Sequence, residues 1–129
     1  MKINIITRCT RTNNLLTIKE GVLNAPKGVT VNWHIVFDTG ALKDIDAEVL
    51  SNLTDTANVK LHFVKGQKGG LLYPEVSDII RTIKSGWIYL LDDDNIIHED
   101  FYKTIKASIK NLPIAQVHIA KINIDNKNK

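Results

Sequence analysis

An α/β layered domain built on a mostly parallel sheet is predicted by three observations. Short β-branched runs alternate with amphipathic helical stretches from one end of the chain to the other. One of those runs, Trp87–Leu91, is nearly all apolar, as expected of a strand buried on both faces. The charged and polar residues of interest gather where the strands end, which in an open parallel sheet is where ligands bind. With 129 residues, 43% of them hydrophobic, the chain can bury one core. Residues 1–122 are therefore read as a single domain and Asn123–Lys129 as a polar tail.

The elements follow in order. Ile3–Thr7 is a first strand, and Asn13 or Asn14 can cap a helix running to about Asn24 with Leu15, Ile18 and Val22 on one face. Pro26 and Gly28 punctuate the next loop. Val31–Asp38 is the second strand, and Leu42, Ile45, Val49 and Leu53 then recur at helical spacing. Val59–Lys65 is the third strand. A glycine-bearing segment, Gly66–Gly70, leads to a helix from about Pro74 with Val76, Ile79, Ile80 and Ile83 facing the core, closed by Gly86. After Trp87–Leu91 a fourth helix presents Phe101, Ile105, Ile109 and Leu112, with Glu99 and Asp100 in its first turn where the helix dipole favours negative charge. Pro113 stops it, and Ala115–Ile122 reads as a fifth strand.

Composition excludes several functions. The net charge of +3 comes from lysines spread along the chain, so nucleic-acid binding is not indicated. A single cysteine, Cys9, rules out an internal disulfide and permits a reducing compartment, and the cytoplasm is the expected location. No apolar run reaches the roughly 18 residues of a membrane helix.

The strand ends supply the candidate site. The first delivers Thr7 and Arg8, the second Asp38, the third Lys65, Gln67 and Lys68, and the fourth Asp92, Asp93 and Asp94 followed by Asn95. Adjacent carboxylates after an apolar strand repel one another unless a cation or hydrogen-bond donors offset them. All-oxygen ligation suits Mg2+ or Mn2+, with ligand phosphates and water completing the shell. Alternation along extended backbone points Asp92 and Asp94 one way and Asp93 the other. No glycine-rich phosphate loop follows the first strand, so a metal bridge to a diphosphate takes its place. A solvated turn with a capping Asp or Asn would look similar in sequence.

At these residues the chain resembles the GT-A glycosyltransferases, in which a D-x-D element follows the fourth strand of a Rossmann-like three-layer sandwich. Ile3–Arg8 is similar to their first strand and donor turn, and Trp33–Asp38 to their second strand with its base-contacting acid. Gly86–Asn95, with its Asp-Asp-Asp-Asn form, is similar to the β-1,3-glucuronyltransferases, and the acids also fit family 2. The resemblance implies a truncated GT-A fold that transfers a sugar from a nucleotide diphosphate donor, UDP-sugar favoured. It implies Asp94 and Asp92 at the metal, Asp92 and Asp93 beside the donor, and Thr7 and Asp38 near the base. Lys65, Gln67 and Lys68 fall where the family has basic residues, although the expected arginines are missing. GT-A enzymes continue into an acceptor half that carries the base of inverting members; Glu99 and Asp100 are the candidates for it here. The alternatives are a non-catalytic donor-binding module that needs a partner chain, and a Mg2+-dependent phosphoryl- or nucleotidyl-transfer domain. The latter predicts an acid or a glycine-rich loop after the first strand, where this chain has Thr7-Arg8-Cys9.

Other residues have simpler readings. His34, His62 and His118 lie in predicted strands as structural residues, and Cys9 as a buried thiol. His98 is placed at a helix start, and Arg11 at the donor turn. Tyr73 is the aromatic best placed to stack on a base, whereas Trp33, Trp87 and Tyr89 build core.

Overall fold

In the computed structural model, which describes residues 1–42, 45–66 and 72–109, four strands form one all-parallel sheet in the order β3-β2-β1-β4. The chain runs β1 (Lys2–Cys9), α1 (Leu15–Leu23), β2 (Thr30–Asp38), α2 (Ala47–Thr54), β3 (Val59–Val64), α3 (Tyr73–Thr82), β4 (Trp87–Leu90) and α4 (Phe101–Ile109). Because every strand is parallel, all carboxyl ends share one edge of the sheet. The fifth strand at Ala115–Ile122, the stop at Pro113, Leu112, His118, the tail, Gln67 and Lys68 lie outside the described residues.

Side-chain alternation divides the sheet into two cores. Ile3, Ile5, Cys9, Trp33, Ile35 and Phe37 pack on one face with Leu15, Ile18 and Val22 of α1, Val49 and Leu53 of α2, and Phe101, Tyr102 and Ile105 of α4. Ile6 and Val36 face the other way, under Leu72 and Val76 and Ile79 of α3. The helix α4 thus lies on the same side as α1: the Tyr102 hydroxyl donates to the Val22 carbonyl, and a Cβ on Gly21 would sit 3.3 Å from the Ile97 carbonyl.

Three sequence expectations are corrected. The helical spacing from Leu42 through Ile45 overshoots, because Asp46 caps α2 by accepting from the Glu48 and Val49 amides; Ile45, before the cap, is exposed. Strand β4 is not buried on both faces: it is an outer strand of the described sheet, with Ile88 39% and Leu90 55% exposed. Glu99 and Asp100 precede α4 and are not in its first turn, since the Thr104 amide donates to the Asp100 carbonyl and the helix proper starts at Phe101. Between α3 and β4, Gly86 adopts φ +95 and passes so near β1 that a Cβ would meet the Lys2 carbonyl at 2.8 Å, so a side chain there is excluded twice over.

On the α3 side, His34 and His62 of neighbouring strands meet nitrogen to nitrogen at 3.0 Å, their rings inclined by only 25°. Such a bond needs at least one neutral ring. Burial, then the facing His62 and Lys60, lower the pKa of His34 from its ordinary 6.5. Burial and Lys60 lower that of His62. The folded protein therefore binds fewer protons than the unfolded chain just below pH 6.5, and stability falls as pH drops through that value. Urea midpoints measured from pH 8 to pH 5 should decline in this window, and His62→Gln should flatten the decline; an unchanged slope in the variant would exclude the pair as its source.

Candidate functional site

The acidic run leaves the sheet where β4 ends, beside the carboxyl end of β1. Pairing carries on past the strand, with the Leu91 amide donating to the Ile6 carbonyl. Parity along β1 decides what this edge offers. Thr7 and Cys9 share a face with Ile3 and Ile5 and enter the core, whereas Arg8 shares a face with Ile6 and emerges on the α3 side.

The three carboxylates have three environments. Asp92 is half exposed, and its Oδ1 accepts from both Nε and Nη2 of Arg8 at 3.2 and 2.8 Å. Asp93 is buried and turned toward the loop after β1: its Oδ2 accepts from the Thr10 and Arg11 amides at 2.9 and 3.2 Å, while Arg11 Nη2 stands 3.6 Å from Oδ1. Asp94 is exposed, and its carboxylate makes no hydrogen bond or ion pair with another described residue. The repulsion expected within the run is thus met locally, by a guanidinium at the first acid and by backbone amides at the second. The carboxylate oxygens left without a protein partner among the described residues are those of exposed Asp94 and the second oxygen of Asp92. Such a set fits one hard divalent ion sharing its shell with water and phosphate.

Asp38 closes the neighbouring corner. It is buried at the end of β2, and its Oδ1 accepts from the Gly40 and Gly66 amides at 3.0 and 3.1 Å. A Cβ on Gly66 would stand 2.6 Å from Asp38 Oδ2 and 2.5 Å from Leu72 Cδ2, so only glycine lets the end of β3 approach this carboxylate. Lys65, just before it, is exposed. Tyr73 opens α3 with its ring exposed, and the Arg8 guanidinium carbon lies 6.0 Å from the ring centroid, within cation–π range.

The structure therefore brings together Arg8, Asp92, Asp93, Asp94 and Tyr73. Thr7 is placed elsewhere: it is fully buried, and its hydroxyl accepts from Trp33 Nε1 at 2.8 Å. The alternation Ile3, Ile5, Thr7 already carried that signal. Gly66 as the partner of Asp38 was missed by sequence reasoning, because a glycine needed for close approach looks like any loop glycine.

Cys9 has the features of an inert thiol: burial pushes it up to about 12, and its Sγ–H donates to the Arg11 carbonyl. His98, Glu99 and Asp100 form an exposed group whose ligand atoms lie within 4.8 Å of one another. His98 Nδ1 accepts from the Asp100 amide at 3.1 Å, tightening the turn into α4. Tyr89, under the run, has its hydroxyl pKa raised by burial and by Asp92.

No family model and no curated protein matches the chain. Among solved structures it is similar to S. aureus TarS 1–349, with a TM-score of 0.66, 15% identity and 85% of this chain covered. It is likewise similar to the same segment of S. aureus TarS in complex with UDP-GlcNAc, with a TM-score of 0.62, 18% identity and 85% covered. The matched region is 32% and 31% of those chains, so this chain spans about a third of their length. At such identity the likeness is one of fold, and the four parallel strands with their helices match a Rossmann-like GT-A fold.

Proposed function

We propose that the chain binds a nucleotide diphosphate sugar at the carboxyl edge of its sheet and serves as the donor half of a glycosyltransferase. The observation that carries this is the division of the Asp92–Asp94 run, which leaves the exposed Asp94 and the second oxygen of Asp92 without a protein partner among the described residues. The fold shared with TarS, a glycosyltransferase seen with UDP-GlcNAc, supports a nucleotide-sugar ligand in general and makes UDP the first to try. Asp94 and Asp92 would hold Mn2+ or Mg2+, and when bound such an ion supplies a Lewis acid that stabilises the departing diphosphate. Arg8 contributes positive charge to the phosphates, and Tyr73 an exposed ring for the base or sugar. Asp93 shapes the site from behind, and buried Asp38 with Gly66 fixes the corner next to it. Lys65 adds charge at the rim. No helix among the described residues is long and apolar enough to cross a membrane. The buried thiol of Cys9 suits a reducing, cytoplasmic setting.

A thermal-shift panel of UDP, GDP and ADP with and without Mn2+ tests the reading. At a concentration about a hundredfold above Kd, a ligand stabilises the folded state by about 2.7 kcal/mol, which is a rise of many degrees for a domain of this size. The expected result is a rise with UDP and Mn2+ together that Asp94→Ala abolishes while its ligand-free Tm stays at the wild-type value. Absence of any nucleotide-dependent rise in the wild type sinks the proposal.

A second reading, donor binding without transfer, is favoured by one observation: the carboxylates nearest in sequence to the run, Glu99 and Asp100, sit exposed in the turn before α4. It predicts binding as above with donor hydrolysis and transfer at background.

A further inference from the structure

We propose that Arg8 is an exchangeable counter-ion that couples metal binding to diphosphate binding: it neutralises Asp92 in the ligand-free site and passes to the phosphates when a divalent cation takes the carboxylate. The diphosphate half of this rests on the function proposed above; the cation half does not.

The geometry makes Arg8 a placeholder for a cation. Two of its donors converge on a single oxygen, Asp92 Oδ1, at the mouth of the site where a metal ion would need a carboxylate. Asp93 is buried and turned to the loop after β1, its Oδ2 taken by the Thr10 and Arg11 amides and its Oδ1 faced by Arg11. The pair is built to part: the side chains are 29% and 46% exposed, and exposed ion pairs of this kind hold weakly. Arg8 also has somewhere to go. Its stem rises from β1 on the α3 face, its guanidinium lies within reach of the Tyr73 ring, and a guanidinium binds phosphate oxygens through the same donors it gives a carboxylate.

Two competitions follow. A divalent cation arriving alone at the second oxygen of Asp92 competes with Arg8 for the charge of the same carboxylate, and a diphosphate arriving alone must draw Arg8 from it. When both arrive, each removes the other's competitor, so each raises the affinity for the other by the same factor. A residue that merely held the site in shape would, when removed, weaken both ligands. Arg8 as a competitor predicts opposite signs.

Calorimetric titration of the full chain reads those signs. In Arg8→Gln, Mn2+ alone should bind about threefold tighter than to wild type, UDP alone should bind more weakly, and the enhancement of UDP affinity by Mn2+ should shrink. Arg8→Lys, which keeps the charge, should stay closer to wild type. Weaker or unchanged Mn2+ binding in a folded Arg8→Gln protein overturns the proposal, as does wild type that binds no Mn2+. Wild type that binds Mn2+ but no UDP overturns the proposed function while the Mn2+ comparison still judges Arg8. If Arg8→Gln does not fold, Asp92→Asn reads the same bond from the other end: metal-free UDP should then bind tighter, and failure to do so overturns the coupling.

Discussion

Asp93→Ala is expected to lower stability by about 3 kcal/mol and to abolish metal-dependent nucleotide binding together. Asp93 is 7% exposed, and its carboxylate takes two backbone amides of the loop after β1, with Arg11 Nη2 3.6 Å from its other oxygen. Hydrogen bonds to a charged acceptor are worth about 1.5–3 kcal/mol, and truncation removes two of them from part-buried amides. Unhooked, the turn at 92–95 no longer presents Asp92 and Asp94 together. Asp93→Asn, which keeps one acceptor oxygen, should recover part of the loss. Urea unfolding and the UDP–Mn2+ thermal shift give the two readouts. A fully stable Asp93→Ala protein would refute the assigned role, and the contrast with a stable but non-binding Asp94→Ala separates scaffold from ligand within one run of identical residues.

The second large effect is expected at Trp33. Its ring is fully buried in the core on the α1 side, and its Nε1 donates to Thr7 Oγ1 at 2.8 Å. Replacement by alanine costs about 3–5 kcal/mol for the cavity, with a further loss from the stranded threonine hydroxyl. Domains of this kind are stable by only about 5–15 kcal/mol, so Trp33→Ala should leave little or no cooperative transition in far-UV circular dichroism. Trp33→Phe keeps most of the volume and loses the bond, and should cost about 1–2 kcal/mol. If both variants unfold alike, the hydrogen bond, not the volume, dominates.

The strands were largely legible because β-branched runs such as Val31–Asp38 and Val59–Val64 are bounded by turn residues, and α3 because Val76, Ile79, Ile80 and Ile83 keep a strict helical spacing. Where periodicity misled, a local bond decided: the Asp46 cap overrode the apolar spacing through Ile45. Apolar content alone also misjudged β4, since Ile88 and Leu90 are apolar yet exposed on an outer strand. The acid run could be found because it follows a strand. Its partition could not, because the amides that claim Asp93 belong to a loop more than 80 residues earlier and the guanidinium on Asp92 comes from β1, the strand before that loop. Side-chain parity along β1, by contrast, separates Thr7 from Arg8 without any coordinates.

The side on which α4 packs sets a rule for growth of the sheet. Parallel strands joined through a helix connect with right-handed chirality in about 98% of cases. With β2 and β3 laid down through α1 and α2 on one face and β4 reached through α3 on the other, a further parallel strand outside β4 calls for a helix on the α3 face. Because α4 packs opposite, such a strand would close a left-handed loop. Among the described residues β4 is the outer strand, and its rim is thus best matched to a segment that runs antiparallel.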